Sequence, residues 1–188
     1  MILIEPPRST IAARREPLNK RELARFAGLA VKAAGCPGSV SVLLTNDMRI
    51  QELNREFRGK NSPTDVLSFP AVTWEFEGGS GPKTRSAGDL AISLETAARQ
   101  AASLGHSLAT EVRVLILHGA LHLAGYDHET DSGEMARKEI RLRRHLGLPS
   151  GLIERSMTRA RPERVMKTIK KPAEVGAAQR RKASRGRA

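Results

Sequence analysis

The sequence predicts a single α+β domain built around one buried helix. The chain has 188 residues, which suits one domain with one hydrophobic core. Short β-branched runs alternate along it with runs of helical periodicity, and no internal repeat is found. One helical run, residues 108–124, is apolar nearly all round. We therefore expect this run to be the central helix of the core.

The first half of the chain predicts two strands and two helices before the third strand begins. Residues 2–5 form a weak strand closed by two prolines, and residues 18–34 form an amphipathic helix that ends at Gly35. The run SVSVLLT, residues 39–45, is a β-branched strand. Asn46 or Asp47 then caps a helix that extends past Phe57.

The second half predicts two strands, a glycine-rich loop and two further helices. The run DVLSFP from Asp65 is the third strand, GGSGP at 78–82 has the composition of a loop, and GDLAIS at 88–93 is the fourth strand. A third helix follows and ends at Gly105. Ser107 caps the central helix, and Gly125 ends it.

Charge divides the chain into residues 1–150, predicted to fold, and residues 151–188, predicted to be a basic and mostly disordered tail. The formal net charge is +12, and the tail holds twelve Lys and Arg against three Asp and Glu. This composition suits either an RNA or ribosome tether that neutralises phosphates or a solubilising terminus.

Cysteine usage and hydropathy exclude some classes of protein. Cys36 is the only cysteine, so neither an internal disulfide nor a CxxC metal site is possible. No apolar run approaches the length of about 18 residues that a membrane span needs, and no signal-like segment opens the chain. We therefore expect a cytoplasmic protein without a membrane partner.

Three of the five histidines lie in HGALHLAGYDH, residues 118–128. His118 and His122 are spaced i and i+4, so they share one helix face, and the turn at Gly125 brings His128 back towards them. Three converging imidazoles suit one Zn²⁺ whose fourth position stays open to water, as in catalytic zinc sites. The alternative is three unrelated core or surface histidines, and nickel, copper or iron would also suit three imidazoles.

The histidine spacing equals that of a metalloprotease family, H-E-x-x-H-x-x-G-x-x-H, with one decisive difference. Those proteases use the glutamate after the first histidine as general base, whereas this chain has Gly119 at that position. The sequence therefore predicts a metal site that lacks the base of a peptidase.

HGALHLAGYDH, together with NREFRGKNSPTDVLSFP (54–70) and GDLAIS (88–93), resembles the YbeY family of bacterial ribosomal RNA maturation factors. The resemblance covers residues 2–148 and leaves out the tail. It implies a zincin-like α+β fold, with a small mixed four-stranded sheet packed against about five helices. It also implies a zinc-dependent, single-strand-preferring endoribonuclease of 16S rRNA processing and ribosome quality control, with ribosomal RNA and ribosomal subunits as partners.

By position, the resemblance makes His118, His122 and His128 the metal ligands and Arg58 the functional arginine. From the residues alone, Arg58 would be an ordinary cation at a helix end. As a catalytic group, its guanidinium suits the negative charge that builds on phosphoryl oxygens when water or a substrate hydroxyl attacks the phosphodiester.

Other polar residues near these motifs have two readings each. Asp127 and Glu129 either orient an imidazole or accept a proton, or are solvated acids of a turn. For Thr64 and Asp65 we favour a structural role in the turn before the third strand over one in the metal cleft. Tyr126 either lines the cleft or packs under the turn.

Two other functions remain open from the sequence. One is a non-catalytic ribosome-assembly factor, in which the metal only stabilises the end of the central helix. The other is a metal-dependent hydrolase of another substrate, including peptides, which Gly119 disfavours because the base is missing.

Overall fold

The computed structural model of the chain describes residues 1–5, 18–36, 38–71 and 86–149. In these residues the elements are β1 Ile2–Ile4, α1 Lys20–Ala34, β2 Ser39–Thr45, α2 Asp47–Arg58, β3 Val66–Pro70, β4 Ser86–Ser93, α3 Leu94–Leu104, α4 Leu108–Leu123 and α5 Glu134–His145. The predicted α+β class is confirmed. The predicted loop at 78–82 and the predicted tail at 151–188 lie outside the described residues, so both stay predictions.

The four strands form one mixed sheet in the order β1-β2-β4-β3. Strand β2 pairs in parallel with both β1 and β4, whereas β3 pairs antiparallel with β4. Because β3 has a partner on one side only, it forms an edge of the sheet. This edge strand and the end of α4 lie on either side of the candidate site described below.

Side-chain caps set where most helices begin. The capping residues of α1 to α4 are Asn19, Asn46, Ser93 and Ser107. The choice between two caps for α2 is resolved in favour of Asn46, whose Oδ1 accepts a hydrogen bond from the Arg49 N–H at 2.9 Å. Helix α5 begins differently, because Asp131 accepts from the N–H groups of Gly133 and Met135 at 2.7 Å each.

Helix α4 is the centre of the core, as predicted. It packs against α1, α3 and α5 and against strands β3 and β4. Nearly every side chain from Val112 to Leu121 is buried, including that of His118. Within the described residues, none of the helices combines the length and the apolar character that a membrane span would need.

Gly119 lets α4 lie directly against the sheet. A Cβ atom at this position would lie 2.7 Å from Cδ2 of Leu90 and 3.2 Å from Oγ of Ser68. Leu90 is itself buried in β4, so it has little room to move. The position therefore excludes the glutamate of the metalloproteases by packing, in addition to lacking its chemistry.

Replacing Gly119 with alanine is therefore expected to destabilise the fold. Overpacking costs about 1–3 kcal/mol, and the better helix propensity of alanine returns up to about 1 kcal/mol of this. Gly28 of α1 is the matched control, because a Cβ there meets no atom within 4 Å. Gly28→Ala should raise the free energy of unfolding by about 0.5–1 kcal/mol. Urea unfolding followed by circular dichroism measures both, and equal stabilisation by the two substitutions would contradict this packing argument.

Candidate metal centre

Helix α4 presents two imidazoles on one face near its C-terminal end. His118 and His122 lie one turn apart, and their Nε2 atoms are 3.2 Å from each other. Their ring centroids are 4.9 Å apart. The i and i+4 spacing therefore produces the predicted pair of adjacent imidazoles.

The turn after α4 brings the third histidine to this pair. Gly125 has a positive φ of 87°, and the Tyr126 N–H donates to the Leu121 carbonyl at 3.1 Å. His128 then places its ring centroid 5.4 Å from that of His118 and 5.3 Å from that of His122. The chain reversal that the sequence predicts at Gly125 is confirmed.

The three histidines fit a single metal ion. One ligand atom from each of His118, His122 and His128 can be chosen so that all lie within 4.8 Å of one another. Nitrogens bound to one tetrahedral zinc at about 2.0–2.1 Å lie roughly 3.3–3.4 Å apart, which is close to the 3.2 Å between the Nε2 atoms of His118 and His122. The donor set is three imidazoles, so it suits zinc and other borderline metals.

His122 is held in the neutral form that a metal ligand needs. Burial, followed by the charges of His118 and His128, lowers the pKa of His122 to about 4. Arg58 also lowers this pKa, whereas Asp127 raises it. At neutral pH the imidazole therefore keeps a free nitrogen lone pair for a metal.

A buried carboxylate orients His118. Nδ1 of His118 lies 3.1 Å from Oε2 of Glu139 in α5, and both side chains are almost fully buried. With Glu139 ionised, Nδ1 carries the proton and donates it to the carboxylate, so Nε2 is left to bind a metal. The sequence analysis did not identify Glu139.

Arg143 completes this buried network. Its Nη2 donates to Oε1 of Glu139, and its Nη1 donates to the carbonyl oxygen of Pro149 at 3.0 Å. Burial opposes ionisation of Glu139, but His118 and Arg143 together hold the pKa of this carboxyl below its usual value. Glu139 is therefore a carboxylate that can keep accepting from His118.

Replacing Glu139 with glutamine should weaken metal binding about 10- to 100-fold, because the amide cannot accept on both sides as the carboxylate does. Competition with a chromophoric chelator measures the Zn²⁺ affinity, and circular dichroism confirms that the variant is folded. Glu134→Gln is the matched control, since Glu134 is an exposed acid of the same helix. Equal affinity of both variants would exclude a positioning role for Glu139.

Arg58 lies at the last residue of α2, and its side chain is exposed. The helix ends in a left-handed Gly59, after which the Lys60 N–H donates to the Asn54 carbonyl at 3.2 Å. The buried Asn54 side chain also donates to the Ser62 carbonyl at 2.8 Å, which fixes the turn. Among the residues that the structure describes, Arg58 forms no ion pair. Its guanidinium is therefore available to an anion.

Thr64 and Asp65 have the structural role that we favoured. Oδ1 of Asp65 accepts from the Val66 N–H at 2.8 Å and from the Thr64 hydroxyl at 3.2 Å. The other carboxylate oxygen accepts from Nε2 of Gln100 at 2.9 Å. Asp65 thus ties the start of β3 to α3.

Asp127 shapes the turn that carries His128. Its carboxylate accepts from the Glu129 N–H and from the Thr130 hydroxyl, each at 3.1 Å. The first of these bonds is the main cause that lowers the pKa of Asp127. Whether Asp127 or Glu129 also orients an imidazole stays a prediction.

Tyr126 packs under the turn rather than standing free in the cleft. Its ring packs against the hydrophobic core. Its hydroxyl oxygen accepts a hydrogen bond from Nζ of Lys138 at 2.9 Å, and the same Nζ donates to the Ala34 carbonyl at 2.8 Å. Lys138 therefore connects the turn to the end of α1.

Comparison with known proteins finds one family along most of the chain. The family model described as Endoribonuclease YbeY matches residues 13–147. A protein of Koribacter versatilis named Endoribonuclease YbeY is 50% identical over 139 residues, which cover 74% of this chain and 85% of that protein. A protein of Solibacter usitatus with the same name is 45% identical over 152 residues, which cover 80% of this chain and 96% of that protein.

A more distant bacterium has a similar protein. The Endoribonuclease YbeY of Aquifex aeolicus is 44% identical over 132 residues, which cover 70% of this chain and 83% of that protein. A solution structure from Thermotoga maritima aligns with 88% of this chain and 99% of its own, at 26% identity and a TM-score of 0.46.

Proposed function

The chain belongs to the endoribonuclease YbeY family, and from this membership we propose that it is a metal-dependent endoribonuclease that cleaves single-stranded RNA. The observation that carries the proposal is the three-histidine centre, with the exposed Arg58 close enough to affect the charge of His122. A metal site beside an unpaired guanidinium suits a phosphodiester substrate.

The proposed ligands are His118, His122 and His128, and the proposed metal is Zn²⁺ with a fourth position for water. Three neutral imidazoles with an open position are typical of catalytic zinc. When bound, the ion would supply Lewis acidity toward the phosphoryl oxygens of the substrate.

The residues of the chain itself bind and orient the substrate and the ligands. Arg58 would accept two phosphoryl oxygens in its planar fork and stabilise the negative charge that grows on them as the phosphodiester is attacked. Glu139 holds the His118 ring in one orientation and one tautomer, as its hydrogen bond shows. Gly119 provides no carboxylate beside the metal, which argues against peptide hydrolysis.

Ribosomal RNA is the proposed substrate, with 16S rRNA processing and ribosome quality control in the cytoplasm as the setting. Support comes from the family and from the charge of the chain, which is +12. The basic segment 151–188 is proposed to add non-specific affinity for RNA or ribosomal subunits through phosphate contacts, which salt would weaken.

The proposal is tested by incubating the purified protein with single-stranded RNA, with the matching duplex and with casein, each with and without chelator. We expect internal cleavage of the single strand, little cleavage of the duplex, none of casein, and loss of all cleavage with chelator. Casein hydrolysis without RNA cleavage would instead establish a peptidase. Inactivity on all three, in protein with a full metal content, would contradict the proposed enzyme.

A further inference from the structure

Two phenylalanines form an exposed aromatic surface at the edge strand. Phe57 of α2 is 59% exposed, although most large apolar side chains of the described residues are buried. Its ring meets the edge of the Phe69 ring of β3, with centroids 5.2 Å apart and planes at 76°. Phe69 in turn packs against a small buried cluster that includes Ile50 and Leu67. We call these two residues the Phe57–Phe69 pair.

The pair lies beside the metal centre, as two neighbouring residues show. Arg58 follows Phe57 directly, and its charge acts on His122. Ser68 precedes Phe69 directly, and its hydroxyl donates to the carbonyl of Gly119, the residue after His118, at 3.4 Å. Both halves of the pair are therefore one residue away from groups that reach the histidine cluster.

The surroundings of the pair carry the charge that a nucleic acid needs. Arg55, Arg58 and Lys60 are exposed in the last turn of α2 and just after it, and Glu56 is the only acid among these positions. Exposed cations beside an exposed aromatic ring are typical of surfaces that bind single-stranded nucleic acids, because cations contact the phosphates and the ring stacks on a base.

We propose that Phe57, supported by Phe69, is a stacking site for one unpaired base of the RNA, next to the phosphate that Arg58 and the metal centre bind. The proposal rests on the proposed function and adds a binding site to it. A base inside a duplex already stacks on its neighbours and cannot be splayed onto a protein ring without unpairing. Stacking at Phe57 therefore also accounts for a preference for single strands.

The test combines protein variants with RNA that lacks one base. The metal-loaded wild type and Phe57→Ala are assayed on a single-stranded RNA and on a set of the same RNA with an abasic nucleotide at each position in turn. Phe57→Ala should raise KM on the intact RNA about 5- to 150-fold, the range expected for losing one stacked base. In the wild type, one abasic position near the cleaved bond should raise KM similarly, and in Phe57→Ala that position should have no further effect.

Two further variants separate stacking from other effects. Phe57→Trp should keep a KM close to that of the wild type, because tryptophan also offers a flat ring. Met48→Ala is the matched control, since Met48 is 51% exposed at the other end of α2, and it should leave KM and kcat unchanged. Metal content and thermal unfolding are measured for every variant, so that a loss of fold or metal is recognised.

Three results would overturn the proposal. One is an unchanged KM in Phe57→Ala. Another is a KM that rises by the same factor on intact and abasic RNA in that variant, since the loss would then not involve a base. The third is normal cleavage of free RNA with lost co-sedimentation with ribosomal subunits, which would make the pair a protein-docking surface. In each case the wild type still cleaves RNA, whereas failure of the proposed function would leave the wild type inactive.

Discussion

The double variant His118→Ala, His122→Ala should lose its bound metal and its cleavage of RNA. Two of the three predicted ligands are removed, and one remaining imidazole, His128, cannot hold a divalent ion against solvent at ordinary concentrations. We expect the metal content to fall to background and the cleavage rate to fall at least about 10³-fold. Elemental analysis and a single-turnover RNA assay measure the two effects.

His145→Ala is the control for this pair, because His145 is an exposed histidine at the end of α5, outside the histidine cluster. It should keep both metal and activity. A full metal content in the double variant would show that the metal lies elsewhere, and activity without metal would show that the cluster is structural.

Arg58→Ala should lower kcat about 10²- to 10³-fold while the metal content and the fold stay unchanged. The exposed guanidinium makes no ion pair within the described part of the chain, so its removal leaves no buried charge behind. The expected loss is that of one group which stabilises the charge of the transition state. Arg58→Lys should recover only part of it, because an ammonium lacks the planar fork. Steady-state cleavage of single-stranded RNA measures all three proteins.

The same variant separates the enzyme from the alternative of a non-catalytic ribosome-assembly factor. A scaffold would keep its biological function in Arg58→Ala, since one exposed cation contributes little to a large binding surface. Arg25→Ala, at an exposed position of α1, controls for the loss of one positive charge. Equal kcat values for the Arg58 and Arg25 variants would contradict a catalytic role for Arg58.

The sequence predicts those features of the site that depend on nearby residues. Helix caps such as Asn46 and Ser107 act within a few residues, so the helix starts follow from the local sequence. The same holds for His118 and His122, which one helix turn brings together, and for Gly125, whose backbone conformation reverses the chain. The three-histidine cluster was predictable for this reason.

Glu139 could not be identified from the sequence because its role depends on tertiary packing. Glu139 and Arg143 are spaced i and i+4, which in a charged helix usually indicates an exposed ion pair of little consequence. In the structure both are buried, and the pair lies against His118 of another helix. Nothing within α5 indicates this burial, since most of the other charged residues of that helix are exposed or partly exposed.

Gly119 shows a similar limit. The sequence indicates that the protease base is absent at this position, but it does not show that a side chain would collide with Leu90 and Ser68. These contacts join residues that are distant along the chain, and they depend on how α4 lies on β3 and β4. The glycine therefore has a packing role that only the fold makes visible.

The central claim, a metal-dependent endoribonuclease, is tested most directly with a circular single-stranded RNA, which has no ends for an exonuclease. The protein is assayed as purified, after removal of its metal, and after return of one equivalent of Zn²⁺. The account predicts linear RNA with the purified protein, intact circles after metal removal, and linear RNA again when the zinc is returned. Circles that are opened equally well by metal-free protein, or that stay intact under all three conditions, would contradict it.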